Sequence, residues 1–325
     1  VEDRRAAILR HFPGDLPAWR AQHERVRCLI DDDHDGKIDR ALTFADGFND
    51  LVDGIAAGVV SRGADVWFTD IPNLWKLTDA DGDGVAEKRE VLSTGYGVHF
   101  SLIGHDMHGA IIGPDMRLWF SIGDRGFSVP QLGGERLDYP DEGAVLSCEL
   151  DGTDLRVVHR GLRNPQELAF DDFGDLFTGD NNSDGGDEAR LVQVVEGGNS
   201  GWGIGYQWLS TRGAWNEDLL WKPRFDGQPA WICPPIANIA HGPSGLAINP
   251  GTGLPSRFDG RFFLCDFRGS PPHSGVLALQ VERDGAGFKL LGSEPFLWNL
   301  CATDCAFGPD GGLYVLDWVD GWDLT

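Results

Sequence analysis

Five short apolar runs in this sequence end on an aspartate, Asp70, Asp124, Asp180, Asp266 and Asp317, at intervals of 54, 56, 86 and 51 residues. Each run closes a strand, turn, strand unit. The clearest pairs Gly109 to Ile112 with Leu118 to Ile122 across Gly113-Pro114-Asp115, and Leu168 to Phe170 with Leu176 to Thr178 repeats it. In one copy the hairpin Ile55 to Val60 and Val66 to Thr69 runs on into Leu74 to Leu77 and Arg89 to Leu92. Four strands joined by successive hairpins, recurring about every 50 residues, are the period of a propeller blade. The interval of 86 leaves residues 199–240, with Trp202, Trp208, Trp215, Trp221 and Trp231, as an insertion or a degenerate blade.

The chain ends complement one another. Val26 to Ile30 and Ala41 to Phe44 are outer strands with no inner hairpin before them, and Cys301 to Trp318 is an inner hairpin with no outer strands after it. Pairing the two as one blade closes the ring and removes open edges. The expected fold is all-β: a six-bladed β-propeller, with five blades as the alternative. It forms a single domain over residues 26–325, preceded by a peripheral extension, residues 1–25, with a short helix from Glu2 to His11.

Fifty-one acidic against 27 basic residues, a formal charge of -24, argue against nucleic acid and anionic membranes as partners. No apolar run reaches the roughly 18 residues of a membrane span. The start at Val1 reads as a processed or trimmed end without a signal peptide. The six cysteines show no C-x-x-C spacing, and Cys301 and Cys305 sit about 13 Å apart on one extended strand, too far to bridge. They read as buried thiols.

In an antiparallel blade, residues just before the first strand and just after the second meet at one face of the ring. That rule gathers His105, Asp124, Arg163, Asn164, Asp180, Asn181, Asn182, His241, Asp266 and Arg268. A base beside a carboxylate, His105 with Asp124, suits proton abstraction. Arg163 and Asn164 suit a polar or carbonyl-rich ligand, and the oxygen-rich Asp180 to Glu188 loop suits a cation.

On the opposite face, Asp79-x-Asp81-x-Asp83-Gly84-x-x-Glu87 places oxygens at positions 1, 3, 5 and 9 around a glycine turn, as calcium loops do. Asp31-x-Asp33-x-Asp35-Gly36-x-x-Asp39 repeats it. Flanking strands rather than helices distinguish both from EF-hands, and their expected role is structural.

Taken together, the stretches His105 to Gly126, Gly161-Leu-Arg163-Asn164-Pro165-Gln166, Asn182 to Glu188, Gly197 to Trp202 and Phe307 to Tyr314 resemble the soluble quinoprotein glucose/sorbosone dehydrogenase family. Its members are six-bladed propellers that bind pyrroloquinoline quinone (PQQ) and calcium. The likeness covers most of residues 26–325. It is greater still to the branch described as membrane-bound dehydrogenase domains of planctomycete-like bacteria, where a cytochrome c domain can follow.

The resemblance implies a calcium- and PQQ-dependent dehydrogenase that oxidises a sugar or related alcohol by hydride transfer to the quinone. In that reading His105 is the general base and Asp124 orients it. Arg163 and Asn164 contact the quinone oxygens, with Arg163 stabilising developing charge. Arg268 meets a cofactor carboxylate, and Asp180, Asn181 and Asn182 hold the calcium. It also implies a periplasmic setting and an external electron acceptor, with a cytochrome c as candidate. Two positions depart from the family pattern: Asp180-Asn181-Asn182 stands where Gln-Gly-Pro is usual, and none of Lys37, Lys76, Lys88, Lys222 and Lys289 falls before the Phe262 to Cys265 strand. The alternative is a non-catalytic, calcium-stabilised propeller that binds carbohydrate or a protein partner.

Overall fold

The structure is a computed structural model. It describes residues 2–14, 16–21, 23–99, 104–203, 213–220, 222, 224–225, 228 and 232–319. Trp208, Trp221 and Trp231 lie outside the described residues.

Four antiparallel sheets of four sequential strands dominate. Blade I comprises Gly58–Arg62, Asp65–Asp70, Asn73–Thr78 and Lys88–Thr94. Blade II comprises Met107–Ile112, Leu118–Ile122, Gly143–Cys148 and Arg156–Leu162, and Gly198–Asn199 adds to its outer edge in parallel. Blade III comprises Pro165–Phe170, Leu176–Asp180, Arg190–Val194 and Ala237–Asn238, and blade IV Pro243–Ile248, Phe262–Asp266, Gly275–Asp284 and Gly287–Trp298. The stretch between Val194 and Ala237 therefore joins the third and fourth strands of one sheet, as an insertion does.

Besides the hairpin Phe127–Pro130 with Arg136–Tyr139 inside blade II's connection, two hairpins flank the blades, Glu24–Ile30 with Arg40–Phe48 and Ala302–Phe307 with Leu313–Asp317. Each is a separate two-stranded sheet, and no ladder joins them among the described residues. The N-terminal helix runs Glu2–His11, with a second at Leu16–Ala21. The first strand of blade I begins at Gly58 rather than at Ile55. The Ile55 N–H bonds the Asp106 carboxylate at 2.9 Å, which draws that segment along the channel instead of into the sheet.

Side chains alternate faces along a strand, so each four-stranded sheet buries both faces against neighbours, whereas the terminal hairpins leave Leu29, Tyr314 and Leu316 exposed. Leu176 joins Val145, Leu162 and Leu168 between blades II and III, whereas the next residue, Phe177, joins Leu246, Phe262 and Leu264 between blades III and IV. Phe263 and Cys265 then face Ala302 and Cys305 of the last hairpin. Val26, Phe44 and Phe48 of the first hairpin pack on Val66, Phe68 and Leu77 of blade I. The inner strands at 58–62, 107–112, 165–170, 243–248 and 302–307 pack in chain order around one channel. All six cysteines are free thiols.

Phe263 is wholly buried and contacts three aromatic rings, Phe258, Phe296 and Phe307, with centroids 4.8–5.9 Å away, whereas Phe173 is 86% exposed. Phe263→Ala should destabilise the chain by about 3–5 kcal/mol and Phe173→Ala by less than about 0.5 kcal/mol, read from urea unfolding midpoints.

Candidate active site

In blades I, III and IV the last residue of the second strand is an aspartate that returns to the channel mouth, beside the segment that enters the first strand; in blade II the matching aspartate, Asp124, lies two residues past Ile122. At blade III, Asp180 accepts the backbone N–H groups of Arg163 at 3.0 Å and Asn164 at 2.8 Å, and it is ion-paired with Arg190. At blade IV, Asp266 accepts those of His241 at 2.9 Å and Gly242 at 3.1 Å, and it pairs with Arg268 at 2.6 Å. Both aspartates are fully buried. They fix how the chain enters the inner strand.

Blade II uses the same position differently. Asp124 Oδ1 lies 2.6 Å from His105 Nδ1, and Asp124 Oδ2 accepts the Trp202 Nε1–H at 3.1 Å. His105 is 9% exposed and Asp124 5%. With Nδ1 held by the carboxylate, proton exchange with a ligand falls to Nε2. A Cβ at position 123 would sit 2.7 Å from Asn164 Oδ1 and 2.8 Å from the His105 carbonyl, so only glycine lets these two segments close around the mouth.

His105 opens onto a cavity of about 560 Å³. Asn164, Asn181, His241, Glu167 and Asp304 line it, and Phe267 and Trp318 give it an aromatic edge. Asn164 is 2% exposed, and its Oδ1 has no hydrogen-bond partner among the described residues. A buried amide oxygen left open in a cavity calls for a polar ligand.

Other expected site residues stand elsewhere. Arg163 does not line the cavity: it is buried over the Trp202 ring at 5.9 Å, pairs with Asp184 at 2.8 Å and donates to the Asn182 carbonyl. Arg268 is held against Asp266, one residue from the lining Phe267. Asp180 faces the scaffold and Asn182 donates to the Asp187 carbonyl at 3.3 Å, so of Asp180, Asn181 and Asn182 only Asn181 reaches the cavity. A carboxylate at this position caps backbone N–H groups, which sequence spacing does not distinguish from facing a ligand.

The far face carries the acidic turns. Ligand oxygens of Asp79, Asp81, Asp83 and Glu87 all lie within 4.8 Å of one another, as do those of Asp31, Asp33 and Asp35. Asp39 is not in the second group; its Oδ2 accepts the Asp32 N–H at 2.8 Å.

Glu167 and Asp304 were not expected at the site. Both sit where an inner strand breaks register, between Pro165 and Leu168 and between Ala302 and Asp304. Such a bulge re-aims a side chain, here into the channel. Burial pushes Asp304 up to about 6, and burial followed by the charge of Asp304 pushes Glu167 well above the ordinary carboxylate range. The only sequence signal was an acid inside an apolar run.

The folded chain holds a proton on Asp304 between pH 3.8 and about 6 that the unfolded chain releases. Stability therefore falls as pH rises through that window and levels off above it. Asp304→Asn should flatten this slope and raise stability at pH 7 by on the order of 1–2 kcal/mol, allowing for screening by water in the cavity, measured by urea unfolding at each pH.

The curated quinoprotein glucose dehydrogenase B of Acinetobacter calcoaceticus is 31% identical over 126 residues, which cover 30% of this chain and 26% of that protein. The match thus spans about a quarter of the relative's length. Among solved structures, an oxidoreductase described as a glucose dehydrogenase from Thermus thermophilus superposes with a TM-score of 0.58 at 20% identity, over 90% of this chain and 84% of that one. The PQQ-bound aldose sugar dehydrogenase of Streptomyces coelicolor gives 0.55 at 18% identity, over 87% and 80%. The structural likenesses establish an all-β fold shared with the PQQ sugar dehydrogenases, and the sequence likeness to quinoprotein glucose dehydrogenase is confined to those 126 residues. Residues 7–321 match the family described as Domain of unknown function (DUF7133), and the chain belongs to that family.

Proposed function

We propose that this chain is a PQQ- and calcium-dependent dehydrogenase that oxidises a hydroxyl of a sugar or related alcohol. The observation that carries the reading is the buried His105–Asp124 pair, 2.6 Å apart, opening onto the 560 Å³ cavity. The relatives named above supply the cofactor class.

The residues present fit the quinone. The open Oδ1 of buried Asn164, or its amide nitrogen in the flipped orientation, meets a carbonyl or ring N–H, and Asn181 stands beside it on the cavity wall. Arg268, one residue from the lining Phe267, would answer a cofactor carboxylate on exchanging it for Asp266, Arg163 stays in the wall behind Asn164 with Asp184, and Asn181 is the remaining candidate for the calcium. When bound, PQQ supplies a two-electron acceptor for hydride.

His105 Nε2 takes the proton of the substrate hydroxyl. Asp124, its Oδ2 pinned by Trp202, holds the ring in register and stabilises the imidazolium that forms. The aromatic edge of Phe267 and Trp318 offers a sugar face an apolar surface, and Asn164 and Asn181 orient its hydroxyls. Calcium at Asp79, Asp81, Asp83 and Glu87, and at Asp31, Asp33 and Asp35, would stiffen the far face. A closed ring with a periplasmic setting and an external electron acceptor such as a cytochrome c completes the proposal.

A second reading, a non-catalytic carbohydrate-binding propeller, draws support from the ion pairs that engage both Arg163 and Arg268. Protein incubated with PQQ and Ca²⁺ should retain quinone absorbance through gel filtration and reduce a dye with one member of a sugar panel. His105→Ala should lower kcat by about 10²–10⁴ with PQQ retention unchanged. The absence of both retention and turnover would sink the enzyme reading, and sugar binding equal in wild type and His105→Ala without turnover would establish the second.

A further inference from the structure

Four inner strands break register near their start: between His108 and Ile111, Pro165 and Leu168, Pro243 and Leu246, and Ala302 and Asp304. These breaks turn polar side chains toward the channel, so that His108, Glu167, Ser244 and Asp304 all line the cavity of about 560 Å³. The strands that carry them pack side by side in that order. Glycine permits the close approach: a Cβ at position 245 would sit 2.6 Å from Asp304 Cα, and one at position 109 would sit 2.4 Å from the Gln166 carbonyl oxygen.

This polar belt carries two carboxylates and no matching cation. Among the described residues, no Lys or Arg lines the cavity. Asp184, the third acid of the lining, pairs with Arg163 at 2.8 Å, whereas Glu167 and Asp304 form no ion pair among the described residues. Glu167 is met by the backbone N–H groups of Leu168 and Gly109, and Asp304 Oδ1 by that of Cys305 at 2.7 Å. The imidazoles do not supply the missing charge. His105 is engaged by Asp124, and burial disfavours the charged form of His108, whose Nε2 lies 2.9 Å from the Gly104 carbonyl oxygen. His241 stands at the mouth, its backbone N–H bonded to Asp266.

Two acids in one enclosed cavity are costly unless protons or a cation offset them. A separate feature of the same cavity calls for a donor: the Oδ1 of Asn164, a residue 2% exposed, has no partner among the described residues. Phe267 and Trp318, with ring centroids 5.9 Å apart, add an aromatic edge that favours an organic cation. A metal ion is less well served, because among the described residues the clusters of three or more metal-ligating side chains lie only in the two acidic turns of the far face. We infer that the cavity binds a protonated primary amine with Glu167 and Asp304 as its counter-charges, so that, on the dehydrogenase reading proposed above, the substrate is an amino sugar rather than a neutral or acidic one. The ammonium answers the two carboxylates, and the hydroxyls are left to Asn164, Asn181 and His105.

Calorimetric titration of the full chain, in buffers free of amines, should show D-glucosamine binding at least tenfold more tightly than D-glucose or N-acetyl-D-glucosamine, whose nitrogen carries no charge. Glu167→Gln and Asp304→Asn keep the side-chain shape and remove the charge, and each should abolish that preference. An ammonium displaces the proton that Asp304 holds below about 6, so glucosamine affinity should rise about tenfold from pH 5 to pH 7, and this rise should flatten in Asp304→Asn. If a variant does not fold, the three sugars and the pH series on the wild-type chain still read the site. Glucosamine bound no more tightly than glucose, a preference that survives both substitutions, or displacement of glucosamine by Ca²⁺ in the absence of PQQ would each overturn the inference. Glucosamine held through both carboxylates but never oxidised in the presence of PQQ and Ca²⁺ would uphold this site and count only against the dehydrogenase reading; glucose oxidised as well as glucosamine would do the reverse.

Discussion

Alternation of side chains across each four-stranded sheet is the constraint on which the rest of this protein depends. A sheet whose successive residues serve opposite faces, as Leu176 and Phe177 or Phe262 and Phe263 do, cannot be left with one face in water. Each four-stranded sheet is therefore sandwiched between two neighbours, and repeated sandwiching stacks the sheets in chain order. The channel follows as the place where the inner strands meet. Nothing in a single blade encodes the cavity; it exists because five inner strands share one centre.

Onto that geometry the chain writes a repeated carboxylate and then varies its partner. Asp180 and Asp266 do the same structural work with the same backbone donors and an arginine apiece. Asp124 stands at the same place but meets an imidazole and an indole. The chemistry of the mouth is thus a departure from a scaffold rule, which is where departures are expected to carry function. The N-terminal segment adds to this, since Asp106, immediately after His105, is anchored by Arg125 and accepts the Ile55 N–H.

Much of the architecture was legible before any coordinates. Hairpins such as 107–122 and 165–180 announce themselves by turn residues between apolar runs, and their spacing gives the blades. The meeting of His105 with Asp124 also follows, because an antiparallel pair returns both to one end. What spacing could not supply was orientation. Asp180 and Arg163 were expected to face a ligand, but backbone capping and pairing with Asp184 turn them into the wall. Glu167 and Asp304 escaped notice for the converse reason: a bulge breaks the period-2 pattern by which inward and outward residues are told apart. Asp70 looked equivalent to Asp124, Asp180 and Asp266, and among the described residues only the hydrogen-bond accounting separates it from those three.

The Trp202 indole on Asp124 bridges 78 residues of sequence and joins the insertion of blade III to the base held by blade II. Contacts of such long sequence separation close only after the intervening strands have paired, since loop-closure entropy must first be met. His105 therefore acquires its full set of restraints as one of the last acts of folding. A partly assembled chain exposes a solvated, loosely oriented imidazole, and an aligned base is itself a marker of docked blades. The nascent protein is in this sense chemically silent until its architecture is complete.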